Sequence, residues 1–340
     1  MSKLNALIAG STGYIGIQLV KLLTKHPNIN IKYLCGNTSK GKSISYFDKS
    51  LKNKKLPKII KFNNNLLNDV DLLFTALPNG EAQKISNKLL KKNILIDLSA
   101  DFRLKSPKEY LKWYKIKHSS INNIKNSIYA LPEISKKKLK NYKIISCPGC
   151  YPTSILLPLL PLIKPNLIKL NNIIIDSKSG YSGAGRGVHK KYANKNLYES
   201  LSAYGVGFHR HNSEIQQELN NYSKKNIKFT FTPHLSPMFR GILSTIYLDV
   251  KNGITIKHIN SKLKKFYKKD TFVKILPINS HVSTNDVINT NFCHVSVCKS
   301  KYKNKLIILS AIDNLIKGGA GQAVQNLNYY FGYNVKKGLV

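Results

Sequence analysis

Through the first 100 residues, short apolar runs alternate with helical stripes. "NALIAG" (5–10) is an apolar run that stops at glycine. "YIGIQLVKLLTKHP" (14–27) places Ile15, Leu19, Leu22 and Leu23 near one helical face before Pro27 closes it. "IKYLCG" (31–36), "DLLFTALP" (71–78) and "ILIDLS" (94–99) read as strands, and "GEAQKISNKLLKKN" (80–93) as a helix. This rhythm predicts an α/β domain with a Rossmann-type, doubly wound parallel sheet. From about 150 the pattern changes. "PTSILLPLLPLI" reads as a helix with Pro152 at its first position. Long strand-like runs follow: "NIIIDSKSG", "KFTFTPHL", "GILSTIYLDV" and "NFCHVSVCKS". They predict an α+β domain with a mostly antiparallel sheet. "GGAGQAVQNLNYYFG" (318–332) reads as a last helix. No internal repeat or disordered linker stands out.

Three stretches carry candidate chemistry. In "GSTGYIG" (10–16), Gly10, Gly13 and Gly16 sit between the first strand and the first helix. Glycines there permit a tight turn and close approach to a pyrophosphate, which the free N–H groups of the helix start hold. The spacing is GxxGxxG, so the strand–turn–helix context carries the reading. After the second strand comes "CGNTSKGK" (35–42), where an NAD site would want a carboxylate. Thr38, Ser39, Lys40 and Lys42 offer hydroxyls and positive charge instead, which favours NADP.

The second stretch is "SCPGCYPTS" (146–154). Cys150 falls just before a helix, where unpaired N–H groups and the dipole favour a thiolate. A buried structural cysteine, a thioredoxin-like pair with Cys147, and half a zinc site are the other readings of these residues. The third is "GFHRHNSEI" (207–215): His209 and His211 flank Arg210, and Glu214 follows. A histidine can be the acid/base for a cysteine, with a carboxylate to orient it. HxH also reads as a metal pair, but no third ligand suggests itself, and no metal is expected. A cysteine nucleophile, a histidine and a nicotinamide together suit reduction through a thioester.

Composition narrows the class. A chain of 340 residues with 42% hydrophobic content is long enough for two domains. Five cysteines (35, 147, 150, 293 and 298) are too few for a disulfide scaffold of this size. No apolar run reaches the roughly 18–20 residues of a membrane span, and the N-terminus has no signal-peptide pattern, so a cytoplasmic protein without a membrane partner is expected. The net charge of +39 invites a polyanion-binding reading. Yet the lysines are spread along the whole chain, and only four of the 55 basic residues are arginine, the side chain whose fork reads guanine. No dedicated nucleic-acid partner is expected; incidental, salt-sensitive adhesion is.

The blocks "GSTGYIG", "FTALPNGEA", "DLSADFRL", "YALPEI", "PGCYPT", "DSKSGYSGAGR", "HRHNSEI", "TPHLSPMFRGILSTIY" and "DNLIKGGAGQAVQN" run in order from end to end. On them the chain resembles the N-acetyl-γ-glutamyl-phosphate reductase family, relatives of aspartate-semialdehyde dehydrogenase. The resemblance implies NADPH-dependent reduction of an acyl phosphate to a semialdehyde in arginine biosynthesis. It implies an NADP-binding domain over 1–149, with a tail from 312 to 340 packing back on it, and a catalytic and oligomerisation domain over 150–311. It makes Cys150 the nucleophile and Cys147 a neighbour, with His209, favoured over His211, as acid/base beside Glu214. It assigns NADP(H) to Gly10, Ser11, Thr12, Gly13, Tyr14, Ile15, Gly16, Thr38, Ser39, Ser182, Gly183 and Asn314. A homo-oligomer, dimer or tetramer, is implied too. A related reductase of aspartyl phosphate or of a carrier-bound aminoadipyl phosphate is the alternative. Where lysine is so abundant, arginine should persist where only its planar fork serves. Arg103 is therefore expected on the substrate phosphate, and Arg210 or Arg240 on its carboxylate; Arg186 is the fourth.

Overall fold

The computed structural model describes residues 3–186 and 199–340. The chain divides into two compact units, Met1–Pro148 with Gly319–Val340, and Gly149–Gly318.

In the first unit a seven-stranded sheet runs in the order β3-β2-β1-β4-β5-β7-β6, with every recorded pairing parallel. Its strands are β1 (Leu4–Ala9), β2 (Ile29–Cys35), β3 (Ile59–Ile60), β4 (Leu72–Thr75), β5 (Ile94–Asp97), β6 (Ser127–Tyr129) and β7 (Ile144–Ser146). Ala6–Ala9, Leu72–Phe74 and Leu95–Ile96 are buried on both faces, as parallel strands under helices require. The order reverses at β1 and β4, and in such sheets the crevice beyond the strand ends there is the ligand site. Helices α1 (Tyr14–Leu23), α2 (Glu81–Ser86), α3 (Pro107–Tyr114), α4 (Ile121–Ile124) and α5 (Pro132–Ser135) fill the crossovers.

The helix expected over 80–93 stops at Ser86. The cause lies at Asn93, whose side chain is fully buried. Its Oδ1 accepts the Leu90 N–H at 2.8 Å, and its Nδ2 donates to the carbonyls of Leu67 and Val70. A side chain that bonds the backbone in this way competes with the helix ladder.

In the second unit α6 (Cys150–Ile163) lies against a mixed sheet ordered β12-β13-β14-β11-β8-β10-β9. The strands are β8 (Ile173–Gly180), β9 (Ser202–Ala203), β10 (Phe229–Ser236), β11 (Ile242–Asp249), β12 (Val273–Ile275), β13 (Cys293–Lys299) and β14 (Lys305–Ile312). Four pairings are antiparallel; β8–β10 and β12–β13 are parallel. Helices α7 (His211–Ser223) and α8 (Ile256–Tyr267) also contact α6. Strand β14 ends at Ile312, and residues up to Gly318 stay with this unit, so the return to the first unit begins at Gly319 and not at 312.

The returning helix, α9 (Gly321–Phe331), packs on α1, α5 and β5. Polar side chains hold it there. Gln325 donates to Glu133, Asn326 donates to the Ala130 carbonyl, and Asn328 Oδ1 bonds His26 Nε2 at 2.8 Å.

Pro158 and Pro161 lie inside α6, yet the helix runs on to Ile163. Proline at 161 removes the donor that the Leu157 carbonyl would otherwise receive four residues back. The Tyr267 hydroxyl of α8 replaces it, donating to that carbonyl at 2.6 Å in a fully buried setting. Tyr267→Phe should therefore strand a buried acceptor and cost about 1–3 kcal/mol. The measurement is thermal unfolding, where a drop of several degrees is expected; an unchanged melting temperature would show that the carbonyl has another donor.

Candidate active site

The residues expected to carry the chemistry fall into two groups, one in each unit. In the first unit, Gly10 has φ +84°, a left-handed conformation. A Cβ there would lie 2.2 Å from the Ala76 carbonyl oxygen, so only glycine fits. Gly13 precedes α1 in extended conformation, no side chain caps the helix, and no acidic residue sits in its first turn. Such a helix start leaves N–H groups and a positive dipole end for an anion. This turn, with Thr12, Gly13, Tyr14, Ile15 and Gly16 at the helix start, fits a dinucleotide pyrophosphate in its chemistry. The N–H and hydroxyl of Ser11 both donate to the Cys35 carbonyl, at 3.1 Å each, and tie the turn to β2. After β2, Thr38, Lys40 and Lys42 are exposed, while Ser39 is buried and closes a turn to Lys42. The run 36–47 holds no carboxylate, so a 2′-phosphate there would meet no repulsion.

Two more expected residues of this unit have defined surroundings. Arg103 is buried, with Nε donating to the Cys147 carbonyl at 2.9 Å and Nη2 to the Leu98 carbonyl at 3.0 Å. Cys147 is buried too, and desolvation pushes its thiol up to about 12. At neutral pH it stays protonated and is a poor nucleophile.

In the second unit Cys150 is the first residue of α6, two positions earlier than the expected start at Pro152. Proline at the third helical position loses nothing, because the N–H groups of the first turn have no intrahelical partner. Cys150 is half-buried. The N–H of Gly149, just before it, donates to Glu214 Oε2 at 3.0 Å. The other oxygen of this fully buried carboxylate lies 3.7 Å from His211 Nε2. Glu214 thus ties the start of α6 to the start of α7.

The two histidines differ. His209 Nδ1 accepts the N–H of His211 at 3.2 Å, so the neutral ring carries its proton on Nε2. Burial, with the charge of Arg210 beside it, pushes the His209 ring down to about 4. His211 is the histidine that faces the carboxylate, whereas the sequence favoured His209. The two histidine rings lie 4.7 Å apart, and beside both packs Tyr151, which the sequence reading does not single out. Its ring lies 5.6 Å from His209 and 5.9 Å from His211, and its hydroxyl accepts from Tyr204 and donates to the His234 carbonyl. Its place directly after Cys150 was the available signal.

The remaining expected residues are placed as follows. Asn314 Nδ2 donates to Ser182 Oγ at 3.0 Å, its Oδ1 accepts the Gly241 N–H, and Gly183 lies against it. Arg240 Nη1 donates to Asn289 and to the buried Asp313 carboxylate at 3.2 Å. Arg210 is exposed where α7 begins. Among the described residues no cluster of three metal-binding side chains occurs, and no helix is long and apolar enough to cross a membrane.

Two family models match the chain: semialdehyde dehydrogenase, NAD binding domain, over residues 5–142, and semialdehyde dehydrogenase, dimerisation domain, over 150–314. The N-acetyl-gamma-glutamyl-phosphate reductase of Clostridium beijerinckii is 42% identical over 98% of this chain and 96% of its own length. Among solved structures, aspartate semialdehyde dehydrogenase II of Vibrio cholerae superposes with a TM-score of 0.72 at 14% identity, covering 98% of this chain and 99% of that one. The aspartate semialdehyde dehydrogenase of Candida albicans, solved with NADP, gives 0.69 at 16% identity over 98% and 100%. These two likenesses concern the fold.

The depressed His209 ring has a consequence for stability. The unfolded chain takes up a proton at about pH 6.5, while the folded protein resists it until about 4. Stability from this residue is therefore complete above about 6.5 and is lost as pH falls towards 4. His209→Gln should flatten the decline of melting temperature over that window. A slope identical to that of the native protein would contradict the burial of His209 as a neutral ring.

Proposed function

The chain belongs to the N-acetyl-gamma-glutamyl-phosphate reductase family, and on that premise we propose that it reduces N-acetyl-L-glutamyl 5-phosphate to the 5-semialdehyde, releasing phosphate. The observation that carries the chemical reading is the Glu214 carboxylate, shared between the N–H beside Cys150 and the ring of His211. Cys150 Sγ attacks the acyl carbon, the phosphate leaves, and a thioester forms on the cysteine. The N-terminus of α6 favours negative charge on the sulfur. His211 takes the thiol proton, and Glu214 stabilises the imidazolium that results. His209, neutral at working pH, presents an N–H at Nε2 as a hydrogen-bond donor. NADP(H), when bound, supplies the hydride for the reduction. The turn over 10–16 would hold its pyrophosphate, and the acid-free loop after β2 its 2′-phosphate.

Of the arginines, Arg103 is held by two carbonyls and offers a preorganised cation for the substrate phosphate. Arg210, with its exposed guanidinium, is assigned to the carboxylate. Arg240 is tied to Asp313 and is assigned to holding structure. A second copy of the chain is proposed to cover the second sheet, where Ile174 and Tyr247 stand exposed on β8 and β11 in a region matching a dimerisation domain.

The direct test of the activity is a panel of semialdehydes assayed with phosphate and either NADP or NAD. N-acetylglutamate semialdehyde should give the highest kcat/KM. A higher value with aspartate semialdehyde or with a carrier-bound substrate would overturn the substrate assignment. NADP should be preferred over NAD by on the order of tenfold or more, from one charge-assisted phosphate contact of roughly 1.5–3 kcal/mol. Equal values would count against the loop after β2.

The two cysteines should separate cleanly. Cys150→Ser should lose nearly all turnover while retaining NADPH binding by fluorescence titration. Cys147→Ser should keep most activity. Equal losses in the two variants would remove Cys150 from its role.

A further inference from the structure

Strand β14 is joined to helix α9 by a π-turn over Ile316–Ala320. Such turns are rare and tend to mark functional places. Here the wide bond runs from the Gly318 N–H to the Asp313 carbonyl at 2.9 Å. The Asp313 side chain pins the turn from below. Its Oδ1 accepts the N–H groups of Leu315 and Ile316 at 2.8 and 3.0 Å. Its Oδ2 accepts the Asn289 N–H at 2.7 Å and Arg240 Nη1 at 3.2 Å. The carboxylate is fully buried, and each oxygen has two donors.

The turn puts Gly318 against Cys150. A Cβ built on Gly318 would lie 2.7 Å from Cys150 Cβ, 3.1 Å from its Cα and 3.3 Å from Ile312 Cδ1. Real Cβ atoms do not approach carbon so closely. The backbone of Gly318 is not among the left-handed ones, so conformation does not demand glycine there. The contact does. Residues 151–163 of α6 are all buried, so the helix start has little room to retreat.

We propose that Gly318 is a positioning residue for Cys150: its bare backbone, held by Asp313 and Arg240, packs on the Cβ of the nucleophile and fixes where the sulfur can point. This rests on the reading of Cys150 as the nucleophile. It also gives Arg240 a role at a distance from substrate, through the carboxylate that shapes the turn.

Gly318→Ala tests it in two ways. Added bulk should displace Cys150 and lower kcat by on the order of ten- to a hundredfold, with KM for NADP unchanged. The pH profile of Cys150 alkylation by iodoacetamide, read by peptide mass spectrometry, should shift, which a purely structural loss would not produce. A double-mutant cycle on urea unfolding isolates the contact. Gly318→Ala should destabilise the native protein and be tolerated once Cys150→Gly has removed the opposing Cβ. If Gly318→Ala alone does not fold, the double variant should. Additive losses in the cycle, or native kinetics and alkylation in Gly318→Ala, would overturn the proposal. Full turnover in Cys150→Ser would overturn the nucleophile reading instead, and the cycle would still judge the contact.

Discussion

The carboxylate of Glu214 has no access to solvent, and a buried charge is tolerated only where donors surround it. Two of its neighbours are a backbone N–H at the start of α6 and the ring of His211 at the start of α7. The first is one of the donors that every helix start leaves without an internal partner. The carboxylate therefore does for α6 what a side-chain cap would do, from another element, and draws the two helix starts together. Cys150 and His211 are the residues at those starts. In the proposed reaction both depend on this single carboxylate, since removing it would take away the acceptor of the Gly149 N–H and the group that His211 faces. Gly318 also packs against Cys150, in a turn pinned by a second buried carboxylate, Asp313.

Much of this was legible in the sequence. The glycine turn after β1, the parallel alternation of the first hundred residues and the four long strands of the second half follow from periodicity and from glycine. Strand β14 was passed over although "KLIILSAI" is strongly apolar, because it lies close to the final helix pattern. The length of α2 was misread because its end is set by Asn93, a side chain acting over the distance to Leu67 and Val70. At Pro161 of α6 a tyrosine from another helix supplies the missing donor. Such long-range hydrogen bonds leave no mark in a local window. The same holds for α9, whose buried Gln325, Asn326 and Asn328 look like a solvated face in sequence and are anchors in the fold.

Within the candidate site, residue types were easier to read than roles. The cysteine, the histidine pair and the glutamate were evident from spacing. What distinguishes His209 from His211, a bond to a backbone N–H in one and a facing carboxylate in the other, is not legible in the sequence. The arginines illustrate the same limit. Their scarcity among lysines suggests that the planar fork matters; Arg103 uses two nitrogens on two carbonyls, whereas Nη1 of Arg240 serves both Asn289 and Asp313. Their visible partners, however, are main-chain carbonyls, an asparagine and a carboxylate of the chain.

In the proposed reaction one thiol, that of Cys150 at the first residue of α6, carries the acyl group. The decisive experiment mixes the protein with N-acetylglutamyl phosphate in the absence of NADPH, quenches in acid, and locates the adduct by fragmentation of the peptide that contains both Cys147 and Cys150. The expected result is an N-acetylglutamyl thioester on Cys150 with phosphate released in equal amount. An adduct on Cys147, or phosphate release with no adduct on the protein, would contradict it.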